Sequence, residues 1–163
     1  MHDRTITVSS TGKTFGMTGW KIGYAIAREE LTQSIRTVHQ FATFAVNTPG
    51  QHAMAHGLEQ LTSYLPELRA LYQRKRDILF DGLRGSTLQA ILPEGTYFMM
   101  TRLPDGSGSD VEYALRLVRE QHVAVIPPSV FYLNSDEGKT LLRLCFAKSD
   151  ETIREGLRRL KIC

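Results

Sequence analysis

A lysine set among glycines is the first group in the sequence that could do covalent chemistry. Lys13 lies in Ser9-Ser-Thr-Gly-Lys-Thr-Phe-Gly-Met-Thr-Gly-Trp-Lys-Ile-Gly-Tyr24, where Gly12, Gly16, Gly19 and Gly23 punctuate a segment that follows a β-branched run. A primary amine on such a loop can attack a carbonyl or carry a proton. A solvated loop lysine is the ordinary alternative, but it leaves the density of glycines unexplained. Gly12-Lys13-Thr14 also suggests the phosphate-wrapping loop Gly-x-x-x-x-Gly-Lys-Ser/Thr. The spacing rejects it, because position 7 is Thr7 and the residues after Lys13 form another glycine-rich turn and a strand, not a helix. A second candidate is Arg143, alone with its charge in Leu141-Leu-Arg-Leu-Cys-Phe146. Such an arginine needs an acidic partner or must point out of the core. His52 and His56 are four apart, but no glutamate or third ligand joins them with zinc-site spacing, and no metal site is read. Cys145 and Cys163 are too few for a disulfide framework and are read as reduced thiols.

These groups need elements to hold them. Thr5-Ile-Thr-Val8 alternates as a strand into the glycine-rich loop, and Lys21–Ala27 reads as a second strand. Glu29–His39 has helical spacing at Leu31, Ile35 and Val38. Asn47-Thr-Pro-Gly50 breaks the pattern, and Pro49 suits only the first turn of a new helix. Apolar residues then recur every three or four positions over Gln51–Leu61 and Tyr64–Leu83, with Gly85 as the stop. Leu88–Leu92 and Thr96–Thr101 read as strands, and the polar loop Asp105–Asp110 caps a helix over Val111–Gln121. Val123–Ile126 and Thr140–Phe146 are read as further strands, and Asp150 as the cap of a closing helix that runs to about Leu160.

At 163 residues and 42% apolar content, the chain can bury a substantial core. Its formal charge of +3 is spread along the whole length, so no nucleic-acid surface is read. The N-terminal residues lack the apolar run of a secretion signal and no stretch approaches a membrane span, so a cytoplasmic protein is expected, with no membrane partner. The succession of elements is α/β or α+β. Its first strand has too few neighbours for a sheet of its own.

Ser-x-x-Gly-Lys-Thr-Phe-x-x-Thr-Gly-Trp-Lys-x-Gly-Tyr resembles the lysine motif of the class I and II aminotransferases. Val38–Gln51, Gly95-Thr-Tyr-Phe98, Ile126-Pro-Pro-Ser-Val-Phe-Tyr132 and Leu142–Lys148 are similar to the kynurenine and methionine aminotransferase branch, in family order across nearly the whole chain. The resemblance implies fold type I and a cofactor, pyridoxal 5'-phosphate. Lys13 would anchor it by condensing with its aldehyde and would then move the substrate's α-proton. Ser10 and Lys21 would hold the phosphate, Lys21 standing where many relatives carry arginine. Arg143 would grip the α-carboxylate of the substrate. Residues 1–62 would be the C-terminal end of the large cofactor domain, and residues 63–163 the small α+β C-terminal domain.

Relatives are far longer, so the chain reads as a C-terminal fragment without the ring-stacking and ring-nitrogen groups, weakly active or inactive alone. The resemblance implies amino acid and 2-oxo acid substrates, a donor of methionine, aromatic, glutamine or kynurenine type, and a homodimer. The alternative is a truncated, catalytically inactive remnant that serves as a binding or structural module. Phe41, Thr43 and Phe44 fall where relatives reach toward the neighbouring subunit's active site, and helix packing explains them about as well. Tyr97, Ser129 and Phe131 read as pocket lining or plain core and are not ranked as site residues.

Overall fold

The computed structural model describes residues 2–160, so Cys163 lies outside the described residues. The chain divides between Leu65 and Pro66 into two compact units.

The first unit is built on a two-stranded antiparallel ribbon, β1 (Thr7–Ser10) with β2 (Gly23–Ile26), registered Thr7 to Ile26 and Ser10 to Gly23. The first strand thus starts two residues later than the β-branched run suggests and takes in the two serines. Helix α1 (Glu29–Ala42) follows, then α2 (Thr48–Glu59). The break at Asn47-Thr-Pro-Gly50 behaves as its residue types require: the Asn47 side chain accepts the Gly50 N–H at 3.1 Å and Pro49 sits in the first turn. Helix α3 (Leu61–Gly82) carries Pro66 in its interior, where the missing N–H removes one ladder bond.

The second unit holds a three-stranded antiparallel sheet, β3 (Gln89–Ile91), β4 (Phe98–Arg102) and β5 (Leu141–Cys145), with β4 in the middle. Met99 pairs with Leu144 and Thr101 with Leu142, and all four are buried; Phe98, Met100, Arg143 and Cys145 alternate onto the opposite face. Against the buried face pack Leu79 of α3, Leu83 just after it, Tyr113 and Ala114 of α4 (Asp110–Arg116), Leu117 just after α4, and Ile153, Leu157 and Leu160 of α5 (Asp150–Leu160).

Three expectations are corrected here. Val123–Ile126 is not a strand: only Ile126 bridges to Arg143, by reciprocal N–H to O contacts of 3.1 and 2.9 Å. The helix expected over Val111–Gln121 starts at Asp110 and widens to a π-turn over Leu117–Gln121; its cap is Ser109, which accepts the Glu112 N–H while Glu112 accepts the Ser109 N–H in return. Asp150 is the first residue of α5 and not its cap. Ser149 supplies the hydroxyl, accepting the Thr152 N–H at 3.1 Å, and the Asp150 carboxylate takes Arg74 at 2.5 Å and Lys75 at 3.4 Å. A carboxylate in the first turn also suits the helix dipole, so the acidic residue and the cap divide the work between two positions.

Two outcomes follow. Met99 has no exposure, and Met99→Ala should cost about 2–5 kcal/mol of unfolding free energy in denaturant titrations, the range for a truncated core side chain. Hydrogen bonds from Arg158 and then Arg159 hold the Glu155 carboxyl down from 4.5 to about 2. A depressed carboxylate contributes stability above its ordinary value that is lost as pH falls through the folded one. Thermal melting should therefore drop a little between pH 4.5 and about 2, and Glu155→Gln should flatten that drop.

Candidate active site

The loop carrying Lys13 is tied at both ends. Thr11, almost fully buried, donates its N–H and its hydroxyl to the Ile22 carbonyl at 3.2 and 2.8 Å, which closes residues 12–21 directly above the ribbon. Gly23, paired with Ser10, lets the strands approach closely: a Cβ there would lie 2.7 Å from the Ser9 carbonyl oxygen. Within the loop the Phe15 N–H reaches the Thr11 carbonyl at 3.1 Å and the Met17 N–H the Gly12 carbonyl at 2.8 Å, so the residues on either side of Lys13 are held by backbone. A side chain from distant sequence adds to this. Tyr64 donates its hydroxyl to the Thr14 carbonyl at 2.9 Å and stacks on Phe15 at 5.6 Å between centroids.

The ribbon brings the three loop candidates to one end. Ser10 is the last residue of β1, Lys21 lies two residues before β2, and Lys13 stands between them in the loop, all three exposed. The Ser10 hydroxyl oxygen accepts the Gly12 N–H at 3.3 Å, which leaves its own proton to donate. Lys21 is held at φ 55°, ψ 41°, a left-handed conformation that costs a non-glycine residue about 1 kcal/mol. Strain of this kind persists only where the surroundings impose it.

Arg143 belongs to the second unit. Its guanidinium carbon stands 4.8 Å from the Phe98 ring centroid and 5.4 Å from that of Phe131. Among the described residues no carboxylate lies within ion-pair distance of it. The arginine thus answers its apolar strand neither by a salt bridge nor by full exposure, but by lying between two aromatic faces, an arrangement that favours a cation. Phe98 and Phe131 thus flank a candidate group, a placement that the sequence reading did not give. Phe131, for which the sequence leaves pocket lining and plain core open, is 64% exposed, which rules out core. The signal for Phe98 was its place two residues before Met100, the strand partner of Arg143, but that diagonal relation exists only once the register is known.

Phe41 and Phe44 are 84% and 81% exposed, and Phe44 has φ +67°, so packing within this chain does not account for them. His52 and His56 sit on the exposed surface of α2, with the His56 ring nitrogen 3.7 Å from Glu59.

The family described as aminotransferase class I and II matches residues 1–160. The chain belongs to that family. It is 43% identical over 162 residues to the methionine aminotransferase of Escherichia coli, covering 99% of this chain and 42% of the relative, and 36% identical to the kynurenine–oxoglutarate transaminase of Dictyostelium discoideum, covering 96% and 41%. Among solved structures it superposes on the Escherichia coli protein with methionine aminotransferase function at a TM-score of 0.91 and 42% identity. N-succinyldiaminopimelate aminotransferase from Mycobacterium tuberculosis follows at 0.92 and 35%; each comparison takes in 99% of this chain and 43% or 42% of the other. The chain spans about two fifths of the length of these aminotransferases.

The donor set at the ribbon's end fits pyridoxal 5'-phosphate. One hydroxyl donor and one ammonium suit a phosphate, and a further primary amine suits an aldehyde. No helix of the described residues is long and apolar enough to cross a membrane.

Removing only the hydroxyl that reaches Thr14, by Tyr64→Phe, should lower stability by about 1 kcal/mol. Gly23→Ala should cost more, since the intruding Cβ meets backbone; both are read by chemical unfolding.

Proposed function

We propose that the protein is an aminotransferase that uses pyridoxal 5'-phosphate to move an amino group from an amino acid of methionine, aromatic, glutamine or kynurenine type to a 2-oxo acid. The observation that carries the reading is Arg143: a guanidinium flanked by two rings, with no carboxylate of its own among the described residues, keeps its N–H fork for a carboxylate from outside. The α-carboxylate common to all amino acid donors has the matching geometry.

Lys13 would hold the cofactor through its amine and would carry the substrate's α-proton. Ser10 donates its hydroxyl to the phosphate, and Lys21 sets a positive charge beside it without the bidentate geometry an arginine would give. When bound, the cofactor supplies an electron sink for the bond broken at the α-carbon. We read residues 1–62 as the end of the large cofactor domain and residues 63–163 as the small α+β domain. The exposed Phe41 and Phe44 support a homodimer, in which they would meet the neighbouring subunit, and a cytoplasmic location belongs to the same reading.

Lys13 is tested by incubation with pyridoxal 5'-phosphate, borohydride reduction and peptide mapping by mass spectrometry. The adduct should fall on Lys13 in preference to Lys21, Lys75, Lys139, Lys148 and Lys161, and Lys13→Ala should remove it. Labelling scattered over the lysines would instead favour a remnant that serves as a binding or structural module.

A further inference from the structure

We propose that Asp110 is a positioning residue for Arg143, acting through the turn Pro128–Phe131; the proposal rests on the reading of Arg143 as the carboxylate-binding group. Asp110 has no exposure, and a buried carboxyl is costly unless it is well partnered. Its Oδ2 accepts one hydrogen bond, the Ser129 N–H at 2.7 Å across nineteen residues, while Oδ1 meets no donor among the described residues. Helix capping does not explain it, because Ser109 already serves the end of α4. Beyond the field of the Lys139 ammonium, which its charge favours, this buried carboxyl has that single bond, and the bond points to what it holds.

That bond holds the turn which carries Phe131. The Phe131 ring lies 5.4 Å from the Arg143 guanidinium carbon, but with 64% of the residue exposed, core packing does not fix the ring. Its place is set by the backbone two residues earlier. There the Ser129 carbonyl accepts the Tyr132 N–H at 3.1 Å, and Pro127 and Pro128 restrict the entry to the turn. On another side Gly138 comes so close that a Cβ would lie 2.6 Å from the Ser129 Cα. The turn is thus clamped by Asp110 and by Gly138, and the second aromatic face over Arg143 follows from that clamp. Phe98, fixed by its strand, supplies the first face without help from Asp110.

The test uses the full chain, labelled with nitrogen-15, and follows the Arg143 Nε–H resonance, which feels the ring current of Phe131. Binding is followed by titration with L-methionine, and L-methioninol, which lacks the carboxylate, is the control. Asp110→Ala should move the Arg143 resonance toward its position in Phe131→Leu and weaken L-methionine about fivefold, the scale of a lost cation–aromatic contact. Asp110→Asn keeps a carbonyl acceptor for Ser129 and should match the parent. An Asp110→Ala resonance identical to the parent's overturns the proposal, as does an Asp110→Asn resonance displaced like that of Asp110→Ala. Should Asp110→Ala fail to fold, Phe131→Leu and Asp110→Asn decide: an unmoved Arg143 signal in Phe131→Leu refutes the link. Arg143→Lys with undiminished L-methionine binding would sink the carboxylate reading, and the resonance comparison would still judge Asp110.

Discussion

The register of β4 against β5 is the constraint on which the second unit depends. Opposing Met99 to Leu144 and Thr101 to Leu142 sends these four side chains into the core and, by the alternation of a strand, sends Phe98 and Arg143 together onto the other face. A slip of one residue would bury the guanidinium and expose Leu142 and Leu144. The same choice that minimises exposed apolar surface therefore places a cation beside an aromatic ring. Thr101 shows what the register costs, since its buried hydroxyl has no partner among the described residues.

In the first unit the corresponding constraint is loop closure. A loop with three glycines would sample many conformations, and the paired donation of Thr11 to the Ile22 carbonyl removes most of that freedom at the neck. Tyr64 then holds the loop beside Lys13 from fifty residues away. What results is an exposed lysine on a backbone that is fixed on both sides, which is the condition for an amine to meet a carbonyl in a defined direction.

Within the second unit charge is treated in two ways. On the α5 surface, charges are paired: Glu155 with Arg158 and Arg159, Asp150 with Arg74 and Lys75. The exposed pair of Arg158 with Glu155 adds little to stability. Arg143 is flanked by aromatic rings and, among the described residues, has no carboxylate within ion-pair distance, and Asp110 is buried with one neutral hydrogen-bond donor and the field of Lys139. Both differ in this from the paired charges of the solvated surface, and the proposed carboxylate-binding role of Arg143 rests on that difference.

The sequence by itself determined a good deal. The spacing in the lysine segment and the four later segments carried the family, which the match over residues 1–160 shows, because local backbone demands for glycine, proline and capping side chains are written in adjacent residues. Hence the break before α2 and the extent of α3 were legible, to within a few residues. Tertiary structure decided the rest. Whether Val123–Ile126 pairs as a strand, whether Asp150 caps or bridges, and which rings flank Arg143 all depend on partners far away in the chain. Phe98 reaches Arg143 only through the register, and Phe131 only through a turn anchored by Asp110. Periodicity reports which face of an element is apolar; it carries no information about which distant group that face will meet.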